Sequence, residues 1–287
     1  MILGRRSFLG TTYHAARKAA LSLCPQPSAP TVWTLQGAQT TLHASSAYGA
    51  AVYSLVWQGF EFVNSSDLGR EIQTAYQLNG QGENYNPTEA GSSGAAGNVP
   101  SQILSADVTG KIFNSSVYPA FWNKVGGQSY SPDTISKRVE IDYNGIINLV
   151  RHDVTVVTAQ DYNLGLIEGL TGYMVGALQT LYVLNDDGTV SLTAKWTDEL
   201  PITIADPGTE YQSTKPLILT TADKAKAFGI YSPLSGYSVL INSYGSGTNK
   251  WDAARQSKSP WPKGSYSWTV YYVVGTLADV QAKLIGV

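Results

Sequence analysis

The chain has 287 residues, 43% apolar and only 14% charged, with a formal net charge of −2. That apolar share supports a sizeable core, while charge well below the ~25% usual for soluble domains, and the lack of a basic stripe, exclude nucleic acid as a partner. Polarity comes instead from Ser, Thr, Asn, Gln and Gly and from 18 Tyr and 7 Trp, a profile suited to neutral, hydroxyl-rich ligands.

Residues 1–30 differ in character from the rest. Arg5-Arg6-Ser7-Phe8-Leu9-Gly10 resembles a twin-arginine export signal, and Pro25-Gln26-Pro27-Ser28-Ala29-Pro30 the loose region before a mature domain. The expectation is a cleaved signal and a secreted or periplasmic protein. His14, Arg17 and Lys18 equally suit a short surface helix in an N-terminal extension. Cys24 is the only cysteine, so no intrachain disulfide forms. His14, His43 and His152 lie far apart, and no Cys/His cluster has zinc spacing, so neither metal nor cofactor is indicated. No run approaches the ~18 apolar residues of a membrane span.

From Thr31 the pattern is strands and turns. Short β-rich runs at 31–35 and 40–44 precede Val52–Trp57 and 60–63, joined by the Gln58-Gly59 turn. A polar corner at 64–69 leads into a strand at 70–77, on which Arg70, Ile72, Thr74 and Tyr76 share one side and Glu71, Gln73 and Ala75 the other. The segment 79–91, NGQGENYNPTEAG, has neither helical nor strand period. A loop of that length in a compact domain is usually functional or disordered, and this one is dense in hydrogen-bonding groups.

Further strands follow at Gln102–Thr109 and 111–113. The run 135–143 alternates cleanly, with Ile135, Lys137, Val139 and Ile141 on one face, the mark of a sheet with one wet side. Asn144-Gly145 reads as a two-residue hairpin turn into 146–158. Strands at 162–173, Thr180–Leu184, 189–195, 217–221, 225–231, 237–244 and 266–274 complete the set. Asn185-Asp186-Asp187-Gly188 is a hairpin turn, and Thr276 caps a short helix at 277–284. Roughly fifteen strands with turns every 8–12 residues predict an all-β, antiparallel sandwich or barrel over 31–287, closed by one C-terminal helix.

Residues 51–64, AVYSLVWQGFEFVN, resemble the early hairpin of galactose mutarotase-like carbohydrate proteins. Residues 268–275, WTVYYVVG, followed by a short helix, are similar to the way many such chains close. The resemblance implies a supersandwich of antiparallel sheets whose concave face binds sugars, in a superfamily of aldose epimerases, glycoside hydrolases, polysaccharide lyases and non-catalytic relatives. The epimerase pattern of a catalytic histidine and a late glutamate is not matched.

The candidate chemistry rests on carboxylates. Glu168, placed on the strand face of Leu164, Leu166 and Leu170, would be desolvated and suited to general acid work, or else be a structural glutamate at a bulge beside Gly169. Glu83 and Glu89 in the loop could flank a glycosidic bond. Glu71 and Gln73 suit vicinal hydroxyls, with Asn84, Tyr85 and Asn86 beside them, and Arg70 could hold a substrate carboxylate. Trp122, Tyr130, Trp251 and Trp261 fall in connections, where rings stack on sugars or cap the sandwich. His152 lies on an apolar face and reads as a core residue. Were it or Tyr173 to approach Arg70, proton abstraction beside a uronic acid would become credible. The expected function is cleavage of glycosidic bonds in an oligo- or polysaccharide, by hydrolysis or lysis. A carbohydrate-binding protein without turnover and a sugar epimerase are the alternatives.

Overall fold

The computed structural model describes residues 29–66, 68–92, 98–123, 130–195, 210–234, 238–243 and 248–287; the side chains of 83, 194–195, 210–212, 238, 240 and 242–243 are outside the description. The expected export signal lies outside it too, apart from its last two residues.

Two large antiparallel sheets face each other. The nine-stranded sheet runs, in spatial order, Val190–Lys195, Thr180–Leu184, Leu217–Thr220, Ala227–Tyr231, Gly264–Gly275, Leu149–Thr158, Thr134–Ile141, Ile112–Tyr118 and Gln102–Thr109. The seven-stranded sheet runs Ala120–Phe121, Pro87–Thr88, Gln73–Leu78, Gly165–Val175, Thr248–Lys258, Ser238–Ser243 and Glu210–Ser213. A four-stranded sheet of Val32–Gln36, Thr40–Ser45, Val52–Trp57 and Phe60–Glu61 packs into the same core. The helix Leu277–Leu284 starts in a capping box, Thr276 accepting from the Asp279 N–H, and buries Leu277, Val280 and Leu284.

The core lies between the large sheets because each presents one apolar face. Ile135, Val139 and Ile141 point inward, and Val150, Val154 and Val156 do so on the next strand. From the opposite sheet Ile167, Leu170, Met174, Trp251 and Ala253 meet them. Phe228 and Trp251 touch across the gap with ring centroids 5.5 Å apart, and Gly169 leaves no room for a Cβ, which would meet Trp268 Nε1 at 2.7 Å.

Two sequence expectations change. The Asn144-Gly145 hairpin turn is a longer loop, a short helical turn Tyr143–Gly145 flanked by Asp142 and Asn148 in left-handed backbone, and the next strand begins only at Leu149. The segment Thr248–Lys258, read as connection, is a strand of eleven residues.

Lys137 shares the inward face with Ile135 and Val139, and its ammonium is fully buried. It meets a carboxylate oxygen of Glu89, equally buried, and donates to the Ala50 carbonyl at 2.7 Å. Burial pulls this lysine below its ordinary value, and the Glu89 charge opposes that pull. Removing one partner of a buried pair strands the other charge, so Glu89→Gln is expected to cost about 3–5 kcal/mol. A urea titration showing a loss under 1 kcal/mol would refute the pairing. His152 is buried nearby, and desolvation with the Lys137 charge holds it well below its ordinary 6.5. Below that pH the unfolded chain takes up a proton that the folded chain refuses, so stability should fall as pH drops through 6.5. His152→Gln should flatten this limb, and an unchanged slope would show that other groups produce it.

Candidate functional site

The Gly165–Val175 strand carries a bulge. It pairs Glu168 with Ala75 but Thr171 with Gln73, so three steps on one strand oppose two on the other. A regular strand would put Glu168 and Leu170 on one face; the extra residue turns Leu170 into the core and leaves Glu168, Thr171 and Tyr173 together on the open face. The expected place of Leu170 beside Glu168 is therefore corrected, while Leu166 keeps its place on that face. Thr74 Oγ1 donates to the Gly169 carbonyl at 2.7 Å and fastens the bulge to the neighbouring strand.

On that open face lies a cavity of about 410 Å³, lined by Glu168, Thr171 and Tyr173, by Gln73 and Ala75, by Lys250 and Thr248, and by Asn86, Thr88, Gly69, Arg70 and Trp122. Lys250 stands opposite Tyr173 and Asp252 opposite Thr171. The Lys250 ammonium is 2.9 Å from Glu168 and 3.2 Å from Asp252, so one cation joins two carboxylates. The Arg70 guanidinium lies 5.4 Å and the Lys250 ammonium 5.8 Å from the centre of the Tyr173 ring. Arg70 precedes the Gln73–Leu78 strand and so joins Gln73 at the cavity, where regular alternation would have put it with Ile72.

Trp122 forms a wall. Its backbone N–H donates to the Asn86 carbonyl at 2.8 Å, and Ser92 Oγ donates to its carbonyl. The indole lies against Gly69, whose φ is +95° and where a Cβ would come within 2.2 Å of the ring. Only glycine combines that backbone with that closeness.

The loop 79–91 divides between site and interior. The turn Gly82–Tyr85 leaves Asn84 exposed, away from the cavity, and the Glu83 side chain lies outside the described residues. Tyr85 packs edge-on against Phe121, and its hydroxyl is 3.5 Å from that of Tyr162, which donates to buried Asp133 at 2.9 Å. Asn86 and Thr88 reach the cavity, whereas Glu89 turns inward to Lys137 and accepts from the Thr74 N–H at 2.9 Å. Glu89 thus lies in the core against Lys137 rather than at the cavity, which removes it as a catalytic candidate.

Four more predicted residues change role. Glu71 is fully buried beneath the site, accepting from the Gly69 N–H at 2.8 Å. Gln73 lines the cavity, but its amide nitrogen donates to the Gly69 carbonyl and its oxygen accepts from the Ala90 N–H, leaving one N–H for a ligand. Trp251 is a core residue with its indole N–H directed at the Met174 sulfur, and Trp261 is likewise wholly buried. Glu168, Arg70, Asn86, Trp122 and Tyr173 line one cavity. Sequence reasoning missed Lys250, Asp252, Thr171, Thr248 and Thr88. The signal for the first two was the alternation of Lys250 and Asp252 with Trp251 and Ala253, a charged face against an apolar one.

No family model and no curated protein sequence matches the chain. Solved structures do. A structural-genomics protein from Synechocystis sp. PCC 6803 aligns at TM-score 0.53 with 11% identity, over 88% of this chain and 99% of that one. A putative aldose 1-epimerase from Escherichia coli aligns at 0.50 with 8% identity, over 87% and 100%. A galactose mutarotase-like protein from Clostridium acetobutylicum aligns at 0.50 with 9% identity, over 87% and 96%. The fold is the galactose mutarotase-like supersandwich. Its seven-stranded sheet carries the cavity on its solvent side, with the bulge at its centre.

The Trp122 wall of this supersandwich gives a direct test. Gly69→Ala should cost roughly 1–3 kcal/mol through strained backbone and a displaced ring. In a Trp122→Ala background most of that cost should vanish, as a double-mutant cycle by urea unfolding would report. Equal losses in both backgrounds would separate the two residues.

Proposed function

We propose that the protein binds a saccharide in this cavity and cleaves a glycosidic bond there, with Glu168 as the proton-transferring carboxylate. What supports the reading best is that Glu168, half-hidden on the cavity floor, shares the cavity with a phenol, three threonine hydroxyls and two cations. The mixture of Trp122 and Tyr173 rings with amide, hydroxyl and carboxylate groups matches a sugar, whose apolar faces stack while its rim hydrogen-bonds. The supersandwich fold, as the sequence resemblance implies, adds to the same reading.

Hydrolysis by paired carboxylates needs a second acid at the bond. With Glu89 in the core, the other proton-handling groups on the face of Glu168 are Tyr173 and Asp252, the latter 1% exposed and 3.2 Å from Lys250. The place of Tyr173 beside Arg70 also suits the lyase form of the reaction, in which a cation neutralises a uronate carboxylate while a base takes the adjacent proton. Saccharide binding without turnover is the second reading. It is favoured by the Lys250 ammonium, which holds Glu168 in an ion pair and competes with substrate for its oxygens.

A screen for new reducing ends and for unsaturated products, across neutral and acidic oligo- and polysaccharides, tests this. Turnover should fall about 10²–10⁴-fold in Glu168→Gln while saccharide binding persists. Binding with no turnover in the unmodified protein would establish the second reading, and unchanged turnover in Glu168→Gln would remove the carboxylate from the mechanism. Export, expected from the N-terminal residues, belongs to the same proposal. Fractionation of the native host should find the protein outside the cytoplasm and lacking its first 30 or so residues.

A further inference from the structure

The floor of the cavity contains a hydroxyl that the protein itself does not use. Thr171 is 1% exposed, and its Oγ1 has no hydrogen-bond partner among the described residues. It lies on the open face of the Gly165–Val175 strand, between Gln73 on one neighbouring strand and Asp252 on the other, and it lines the cavity. A buried hydroxyl with no partner costs folding free energy that a valine of the same shape would not.

The surroundings say what could complete it. Lys250 donates toward Glu168 at 2.9 Å and lies 3.2 Å from Asp252, Arg255 stands opposite Glu168 on the same strand as Lys250, and Asp252 stands opposite Thr171. An anionic group brought to Thr171 would meet the carboxylate of Asp252, the residue opposite it, and be repelled by it. A hydroxyl group suffers no such penalty. It both donates and accepts, so it can give its proton to a carboxylate or to Thr171 Oγ1 and take one from Lys250 or from the threonine. The positive groups that would suit an anion, Arg70 and the outer side of Lys250, sit instead against the Tyr173 ring.

We propose that Thr171 is a specificity-determining residue, the bottom of a subsite for one uncharged hydroxyl group of the bound saccharide, closed to acidic groups by Glu168 and Asp252. The inference rests on the saccharide reading of the cavity and adds to it which end of the ligand enters first and what that end must be. An acidic sugar is accommodated only with its charged group turned away from the floor, toward Arg70.

The test uses the full chain, the Thr171→Val variant and calorimetric titration with D-galactose, D-glucose, D-mannose, cellobiose and D-galacturonate. Thr171→Val should melt at the same temperature as the unmodified protein or higher, because no protein hydrogen bond is lost. It should bind the preferred neutral sugar about tenfold more weakly, the size of one hydrogen bond. Among singly deoxygenated forms of that sugar, one should bind both proteins alike, and its missing hydroxyl identifies the group on the floor. Equal affinity of the two proteins for every sugar that binds overturns the subsite while leaving the saccharide reading intact. A lowered melting temperature of ligand-free Thr171→Val also overturns it, by showing that the hydroxyl serves the fold. If the unmodified protein binds none of these sugars nor the polysaccharides of the turnover screen, the saccharide reading itself fails, and this one with it.

Discussion

One extra residue in the Gly165–Val175 strand decides which side chains line the cavity. In an unbroken strand Glu168 would share its face with Leu170, and either a leucine would sit in the cavity or a glutamate in the core. The bulge at Gly169 removes the conflict, because the alternation is reset between Glu168 and Thr171. Packing holds the reset in place. Gly169 has the Trp268 indole and Ala254 pressed against it, and its carbonyl is taken by Thr74. Ala254, beside it on the next strand, adopts left-handed backbone with φ +55°, so the distortion crosses both strands of the pair. Bulges of this kind aim side chains at sites. Here the device serves three cavity groups at once: Glu168, Thr171 and Tyr173.

The second constraint lies behind the site. Thr74, which fastens the bulge, is itself fixed through its N–H by Glu89, and Glu89 is held by Lys137 on the opposite sheet. Burying that ion pair is expensive, and a pair of apolar residues of similar volume would often serve stability as well or better. What an apolar pair cannot supply is an acceptor for the Thr74 N–H and a donor for the Ala50 carbonyl. The same logic applies to Asp133, which collects Tyr162, Tyr76, Ser131 and the Ala159 N–H in the interior and thereby steadies the turn bearing Tyr85. The interior polar groups are therefore spent on placing the loop 79–91, whose Asn86 and Thr88 form part of the cavity wall.

The fold was largely legible in the sequence because its elements obey period two with few exceptions. Val52–Trp57, Gln102–Thr109 and Thr180–Leu184 fall where the pattern puts them, and the inward face of Thr134–Ile141 is the predicted one, Lys137 included. The site was legible only by residue type. Arg70, Asn86, Trp122, Glu168 and Tyr173 stood out as groups that bind sugars, but their convergence depends on strand neighbours far apart in sequence. Glu89 looked like a catalytic acid because no local pattern reveals a lysine waiting on another sheet. Thr248–Lys258 looked like a connection because its outer face carries Lys250 and Asp252 where strands usually carry β-branched residues, and because Ala254 interrupts its regularity.

That miss shows why fold and chemistry separate so cleanly in this architecture. Along Thr248–Lys258 the residues facing the core, Trp251 and Ala253, alternate with Lys250 and Asp252 facing the cavity side. Stability constrains the first set through volume and shape, since Trp251 fills the space between Phe228 and Tyr272. That packing constrains the second set less, because Lys250 and Asp252 lie on the opposite side of the strand from Trp251 and Ala253. Alignment with solved structures over nearly nine-tenths of the chain at 8–11% identity is what such a division allows. The sandwich needs only apolar faces in register, and the open face is left to vary residue by residue. Likeness of fold therefore leaves the cavity and its chemistry to be read from this chain's own Glu168, Thr171, Tyr173 and Lys250, and from the bulge that gathers the first three.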